Sequence, residues 1–134
     1  MKKLDNFSNC LEVLKSADFT RADNDDIYRT GIVGQFNLTF ELAWKALQEV
    51  MKIHGVSEAE TGSPREILQL GYKIGFLNNS EVWLSMLKKR NTSVHIYNED
   101  DVDELIILIR NRYIPAFSAL KETLTKKLSE VEER

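Results

Sequence analysis

Between two stretches of helical patterning lies the run Arg90-Asn91-Thr92-Ser93-Val94-His95-Ile96-Tyr97-Asn98. It gathers the side chains best suited to chemistry into one short polar interval. Arg90 can clamp a phosphate through parallel N–H bonds. As an imidazole side chain, His95 is of the type that can move protons near neutral pH. Tyr97 offers a hydroxyl acceptor and a stacking face. The same residues also fit a plainer role, in which Arg90 pairs with an acid at the start of the next helix and His95 and Tyr97 are ordinary loop residues. Spacing alone leaves both roles open.

Other side chains point to chemistry less sharply. Trp44 and Trp83 could stack on a base, but each sits in a helical pattern and is expected in the core or at a dimer seam. Glu41 is either a surface acid or a residue facing the site. Arg65 could meet a phosphate at a helix start, with a solvated salt bridge as the simpler role. His54, beside Gly55, reads as a favourable charge at a helix C-terminus. Met51 and Met86 read as core filler. Gly31 and Gly34 lie inside a helical pattern rather than between a strand and a helix, so they do not form a phosphate loop. They suit close helix packing or backbone approach at a dimer seam. With two histidines and the single Cys10, a His/Cys zinc site is not expected, and neither is a cofactor. Cys10 reads as a small packed residue in a reducing compartment.

These residues must be held by a chain of 134 residues, 43% hydrophobic and 29% charged, which is the profile of one globular domain spanning residues 1–134. Six glycines and two prolines favour long helices over many tight turns. A net charge of -3 argues against nucleic-acid binding through a broad basic surface, while leaving room for a local basic pocket. No apolar run reaches the length of a membrane helix. Met1-Lys2-Lys3 is followed by polar residues rather than a signal-peptide core, so a cytoplasmic protein is expected.

Helical spacing recurs along the chain. Leu4, Phe7, Leu11 and Leu14 mark a first helix that fades from Ser16 to Ala22. Asn24-Asp25-Asp26 supplies an N-cap for a long second helix, carrying Val33, Phe36, Phe40, Ala43, Leu47 and Val50, which closes near His54 and Gly55. A polar loop from Ser57 to Gly62 precedes Ser63-Pro64-Arg65-Glu66, where N-cap serine, N1 proline and N3 glutamate make a capping box. Ile67, Leu70 and Ile74 mark the inward face of this third helix, which ends at Gly75. Asn79-Ser80 caps a fourth that carries Val82, Trp83, Met86 and Leu87 as far as Lys89 or Arg90. A last helix starts near Asp101 after the acidic run Asn98-Glu99-Asp100-Asp101. It runs through Val102, Leu105, Ile109, Ala116, Leu120, Leu124, Leu128 and Val131. Pro115 should kink it near Arg112 to Ile114. The fold class is all-α, an up-and-down antiparallel bundle of four to five helices, with the two long ones expected to pack antiparallel.

The spacing Arg90-x4-His95-x-Tyr97 resembles the Arg-x4-His-x-Tyr signature of HEPN-type toxins, the partners of minimal nucleotidyltransferases. The likeness extends to the nucleotidyltransferase substrate-binding branch of that superfamily. Phe40-Glu41-Leu42-Ala43-Trp44-Lys45 resembles its helix-2 box, Ser63-Pro64-Arg65-Glu66 its third-helix start, and Glu81-Val82-Trp83-Leu84 with Arg90-Asn91 the segment leading into the motif. Together these cover about Asp25 to Tyr113.

The resemblance implies a homodimer with the motif near its two-fold interface, and a small nucleotidyltransferase as partner. In the toxin branch it implies metal-independent RNA cleavage, with Arg90 holding the scissile phosphate, His95 as general acid or base and Asn91 orienting either. AMP transfer onto Tyr97 would then silence the site, since added phosphate charge and bulk would neutralise Arg90 and block His95. The alternative it implies is a non-catalytic substrate-binding subunit that presents substrate to a separate nucleotidyltransferase. Independently of the resemblance, residue type makes Glu41, Trp44 and Arg65 candidate substrate-binding residues, and RNA or nucleotide a candidate partner. A plain helical dimerisation module is the third reading.

Overall fold

The structure, a computed structural model, describes residues 1–93 and 98–132. Among the described residues, seven α-helical segments follow in order: α1 (Lys2–Lys15), α2 (Phe19–Ala22), α3 (Asp26–Ile53), α4 (Pro64–Lys73), α5 (Ser80–Ser93), α6 (Glu99–Leu108) and α7 (Ile114–Glu132). A 3-10 turn, Ser57–Glu60, links α3 to α4. A π turn, Ile109–Tyr113, joins α6 to α7 without a break. Since α2 is a single turn and α6 and α7 form one rod, the bundle has five principal helices.

Five of the helices, α2 to α6, begin where a short polar side chain satisfies free amides, while α1 starts at Met1 without a side-chain cap. Asp25 accepts from the Tyr28 amide at the start of α3, and that hydrogen bond holds its carboxyl below the usual carboxylate range. The expected capping box opens α4: Glu66 N–H donates to Ser63 Oγ, and Ser63 N–H donates to Glu66 Oε1. The Ser63 amide, and after it the Ser63 hydroxyl, keep the Glu66 carboxyl below its ordinary value. Asn79 caps α5 through the Val82 amide, and Asn98 caps α6 through the Asp100 amide. Gly55 and Gly75 take φ of 83° and 87° just past α3 and α4, a backbone that favours glycine.

The core is a continuous apolar stripe of α3 wrapped by α1, α5 and α7. Phe36, Phe40, Ala43, Leu47 and Val50 are fully buried, as are Phe7 and Leu11 of α1, Met86 of α5 and Phe117 of α7. Each large side chain here is worth roughly 1.5–3 kcal/mol relative to exposure. Trp83 stands edge-on to Phe117 at 5.5 Å and tilted against Phe40 at 6.3 Å, so it is a core residue. Met51 is also fully buried. Val33, Leu70 and Ile74, expected to face inward, lie at the margin; Ile32 and Leu68 take the deeper positions.

Packed neighbours α1 and α3, α3 and α5, and α5 and α7 run antiparallel. Lys3 of α1 meets Glu49 of α3, and Cys10 meets Gln35. The two longest helices, α3 and α7, are therefore parallel rather than antiparallel: Phe36 stacks on Tyr113 at the end of the π turn, and His54 Nε2 lies 2.6 Å from the Lys127 carbonyl oxygen. Two chain reversals through α5 restore the original direction. Beyond its place at the end of α3, His54 thus ties that end to α7, with its ring edge-on to Phe76.

Four local expectations change. The stretch from Ser16 to Ala22 contains the one-turn helix α2, capped by Asp18 through the amides of Thr20 and Arg21. Within the polar loop, Ala59 is fully buried and its carbonyl accepts from Gln48 Nε2. α5 runs past Arg90 to Ser93, so the first residues of the polar interval are helical. Where a kink is expected near Arg112 to Ile114, the structure has the π turn Ile109–Tyr113: Pro115 has no amide hydrogen to give the preceding turn, and the helix widens there and continues.

Candidate functional site

On α3, Asn37, Glu41 and Lys45 recur at i, i+4 and i+8, which places them along one flank of the helix. The core face of the same helix fixes what this flank meets. Phe40 packs on Trp83 of α5, and α5 runs antiparallel to α3. Along this pairing Arg90 meets Glu41 and, one turn on, Ser93 meets Asn37.

Arg90 Nη2 donates to Glu41 Oε2 at 2.5 Å, a charge-assisted contact between half-buried side chains. The other Glu41 oxygen, Oε1, lies 3.3 Å from Lys45 Nζ. Arg90 Nη1 donates to the Asn91 side-chain oxygen at 3.1 Å. One turn on, Asn37 Nδ2 donates to Ser93 Oγ at 3.0 Å, and the Ser93 hydroxyl has the Arg90 carbonyl at 3.0 Å and Asn37 Oδ1 at 3.3 Å as acceptors. The cluster thus holds one carboxylate between two cations, with formal charge +1. The arrangement is suited to receiving an oxyanion at a partly exposed surface.

A second anchor sits nearer the start of α3. Arg29, almost buried, reaches Asp103 of α6 at 2.6 Å and the Glu99 carbonyl oxygen at 3.4 Å, with Asp26 at 3.6 Å. The end of α5 and the start of α6 are thus both tied to α3.

Of the residues singled out in the sequence, Glu41, Arg90 and Asn91 come together here. The acid that meets Arg90 comes from α3, not from the start of the following helix: tertiary packing of α5 along α3 brings Glu41 within reach. Trp44 is half-buried on α3, with Lys45 Nζ 5.9 Å from its ring centroid. Among the described residues its buried Nε1–H has no hydrogen-bond partner. Arg65 stands exposed on the first turn of α4, outside the network. His95 and Tyr97 lie outside the described residues. Asn37, Lys45 and Ser93 are additions from the structure; the i, i+4, i+8 run Asn37-Glu41-Lys45 flanking the α3 core stripe is the sequence signal for the first two, while Ser93 joins only through the extension of α5.

Two further features lie away from this cluster. Tyr113 is buried with its hydroxyl 2.6 Å from Ser85 Oγ; burial pushes its phenol up, and the Ser85 hydrogen bond partly offsets this. A groove of about 350 Å³ between α1 and the start of α3 is lined by Val13, Ala17, Ile27, Gly31 and Gln35 and does not reach Arg90.

Comparison with known proteins identifies the family and the fold. The model of the family described as nucleotidyltransferase substrate binding protein like matches residues 2–126. Among curated proteins none matches significantly. A solved protein of Thermus thermophilus is 28% identical with a TM-score of 0.70, the match covering 91% of this chain and 98% of the other. HI0074 from Haemophilus influenzae, whose structure is described as revealing the fold of a substrate binding domain of a nucleotidyltransferase, is 17% identical with a TM-score of 0.78 over the same shares; at that identity the likeness is one of fold. With its family model matched over nearly its whole length, the chain belongs to the nucleotidyltransferase substrate binding protein like family.

Proposed function

We propose that this chain is the substrate-binding subunit of a two-component nucleotidyltransferase system, presenting a nucleotide or RNA substrate to a separate, small nucleotidyltransferase. The observation that carries this reading is the Lys45–Glu41–Arg90 cluster, two cations about one carboxylate on rigid helices, which is equipped to bind an anion. The family to which the chain belongs, and the description of HI0074 as a substrate binding domain, point the same way.

The working form in this reading is a homodimer. Its support is a ridge of α3 on which Ile27, Gly31, Gly34 and Leu38 are all exposed, Ile27 by 86%. The ridge runs beside the Glu41 flank, so a second copy seated there would bring two Arg90 clusters near one seam.

A second reading rests on the motif Arg90-x4-His95-x-Tyr97: a metal-independent ribonuclease toxin of HEPN type, with Arg90, Asn91 and His95 in catalysis and Tyr97 as AMP acceptor. One experiment separates the two. The chain and its Tyr97→Phe variant are incubated with ATP, Mg²⁺ and the nucleotidyltransferase of the same genome, then weighed intact. A stable complex without added mass supports the substrate-binding subunit. AMP-sized increments lost in the variant support the toxin reading. If no complex forms, both readings fail and a helical dimerisation module is left.

A further inference from the structure

The carboxylate at the centre of the cluster has two distinct cationic partners, one per oxygen: Arg90 Nη2 on Oε2 and Lys45 Nζ on Oε1. Two cations bridged by two oxygens of one planar anion is also how a phosphoryl group would be held. All three side chains keep contact with solvent, at 27% for Glu41, 34% for Arg90 and 45% for Lys45, so an incoming anion can reach them without opening the core. The guanidinium is braced independently of Glu41, because its Nη1 donates to Asn91 on its own helix. The helix end carrying it is braced too, through Ser93 and Asn37. Losing Glu41 as a partner therefore leaves Arg90 in place.

We propose that Glu41 is an internal stand-in for the ligand: its carboxylate occupies the place between Lys45 and Arg90 in the free chain and yields it to a phosphoryl group when substrate binds. This deepens the substrate-binding reading and rests on it, and it adds Lys45 as a second phosphate-contacting cation. The exchange suits the charges. One carboxylate leaves the two cations with a net positive charge, which a phosphate dianion would neutralise more fully. The contact being replaced is a partly solvated ion pair, of the kind worth about 1 kcal/mol or less, so a doubly charged competitor can displace it. The free chain is thereby spared two unpaired neighbouring cations, and weak monoanions are discriminated against because they must compete with an anion already in position.

The test is titration calorimetry of the full chain with inorganic pyrophosphate, and separately with AMP, at low ionic strength, where such contacts are least screened. Glu41→Gln keeps the shape and removes the competing charge. It should bind pyrophosphate about 5-fold more tightly than wild type, the factor that ~1 kcal/mol corresponds to. Adding Lys45→Met to that variant should reverse the gain, and Arg90→Ala should abolish binding in either background. Glu41→Ala, checked for an unchanged melting transition, should behave as Glu41→Gln does. Equal or weaker binding by both Glu41 variants would overturn the proposal, since Glu41 would then be orienting Arg90 rather than occupying it. Absence of binding by every variant would overturn it too. The substrate-subunit reading stands or falls separately, on whether the wild-type chain forms a complex with its nucleotidyltransferase.

Discussion

Ser85 and Tyr113 face each other where α5 crosses the π turn, their hydroxyl oxygens 2.6 Å apart, with the Tyr113 ring stacked on Phe36 at 5.3 Å. The contact gives the widened turn a polar fastening inside an otherwise apolar core. Tyr113→Phe keeps the stack and removes the fastening, and should lower stability by about 1 kcal/mol in a denaturant titration. The pH dependence is more diagnostic. Burial raises the Tyr113 pKa above its ordinary value of 10.0, so the folded chain retains a proton that the unfolded chain gives up. Stability from this group is intact below pH 10 and falls as pH rises beyond it. Comparing wild type with Tyr113→Phe from pH 8 to pH 11 should show a steeper alkaline loss for wild type; parallel curves would refute this account.

The capping box of α4 makes the opposite prediction at low pH. Its reciprocal bonds hold the Glu66 carboxyl below its ordinary value, so their contribution is present above the unfolded pKa and is lost as pH falls through the folded one. Circular dichroism should show an acid-side loss of helix that Glu66→Gln reduces. At neutral pH, Ser63→Ala should cost about 1 kcal/mol, read from the denaturation midpoint.

Arg29 ties the first turns of α6 to α3. Replacing it with Met removes its links to Asp103 and to the Glu99 carbonyl while keeping most of the side-chain volume. Because Asp103 is well exposed, the expected loss of global stability is modest, about 1 kcal/mol or less. The sharper consequence is local. Amide exchange over the first turns of α6 should accelerate, with α1 amides unchanged. Uniform acceleration across the chain would show instead that Arg29 supports the whole bundle.

Gly34 lies on the exposed ridge of α3, and an added Cβ there would meet nothing within 4 Å. In the isolated chain Gly34→Ala should therefore stabilise α3 by about 0.5–1 kcal/mol, because alanine is the better helix former. If a second copy packs closely on this ridge, the same methyl group should weaken association. Melting temperature and sedimentation of wild type and variant, taken together, read both effects. A variant that is more stable and equally dimeric would move the dimer seam off this ridge.

Much of the bundle is legible in the linear sequence because helical caps and stripes are local. Asp25, Ser63 with Glu66, and Asn79 each satisfy amides within a few positions, and the α1 face from Leu4 to Leu14 repeats at helical spacing. The extension of α5 to Ser93 was not legible, because its last turn is fastened by Asn37, far away in the chain. Pro115 marks the position of the π turn in the sequence, but the contacts of Tyr113 with Phe36 and Ser85 that line it come from the tertiary structure.

The same division holds for the candidate site. Residue types and spacing along the chain were enough to single out Arg90 and Asn91 and to place Glu41 in a helix, because those features need only neighbours in sequence. Which carboxylate meets Arg90, and that Lys45 shares it, was decided only by the tertiary structure. An ion pair between positions so far apart depends on how two helices pack side by side, and that is decided by the core they share rather than by either helix alone.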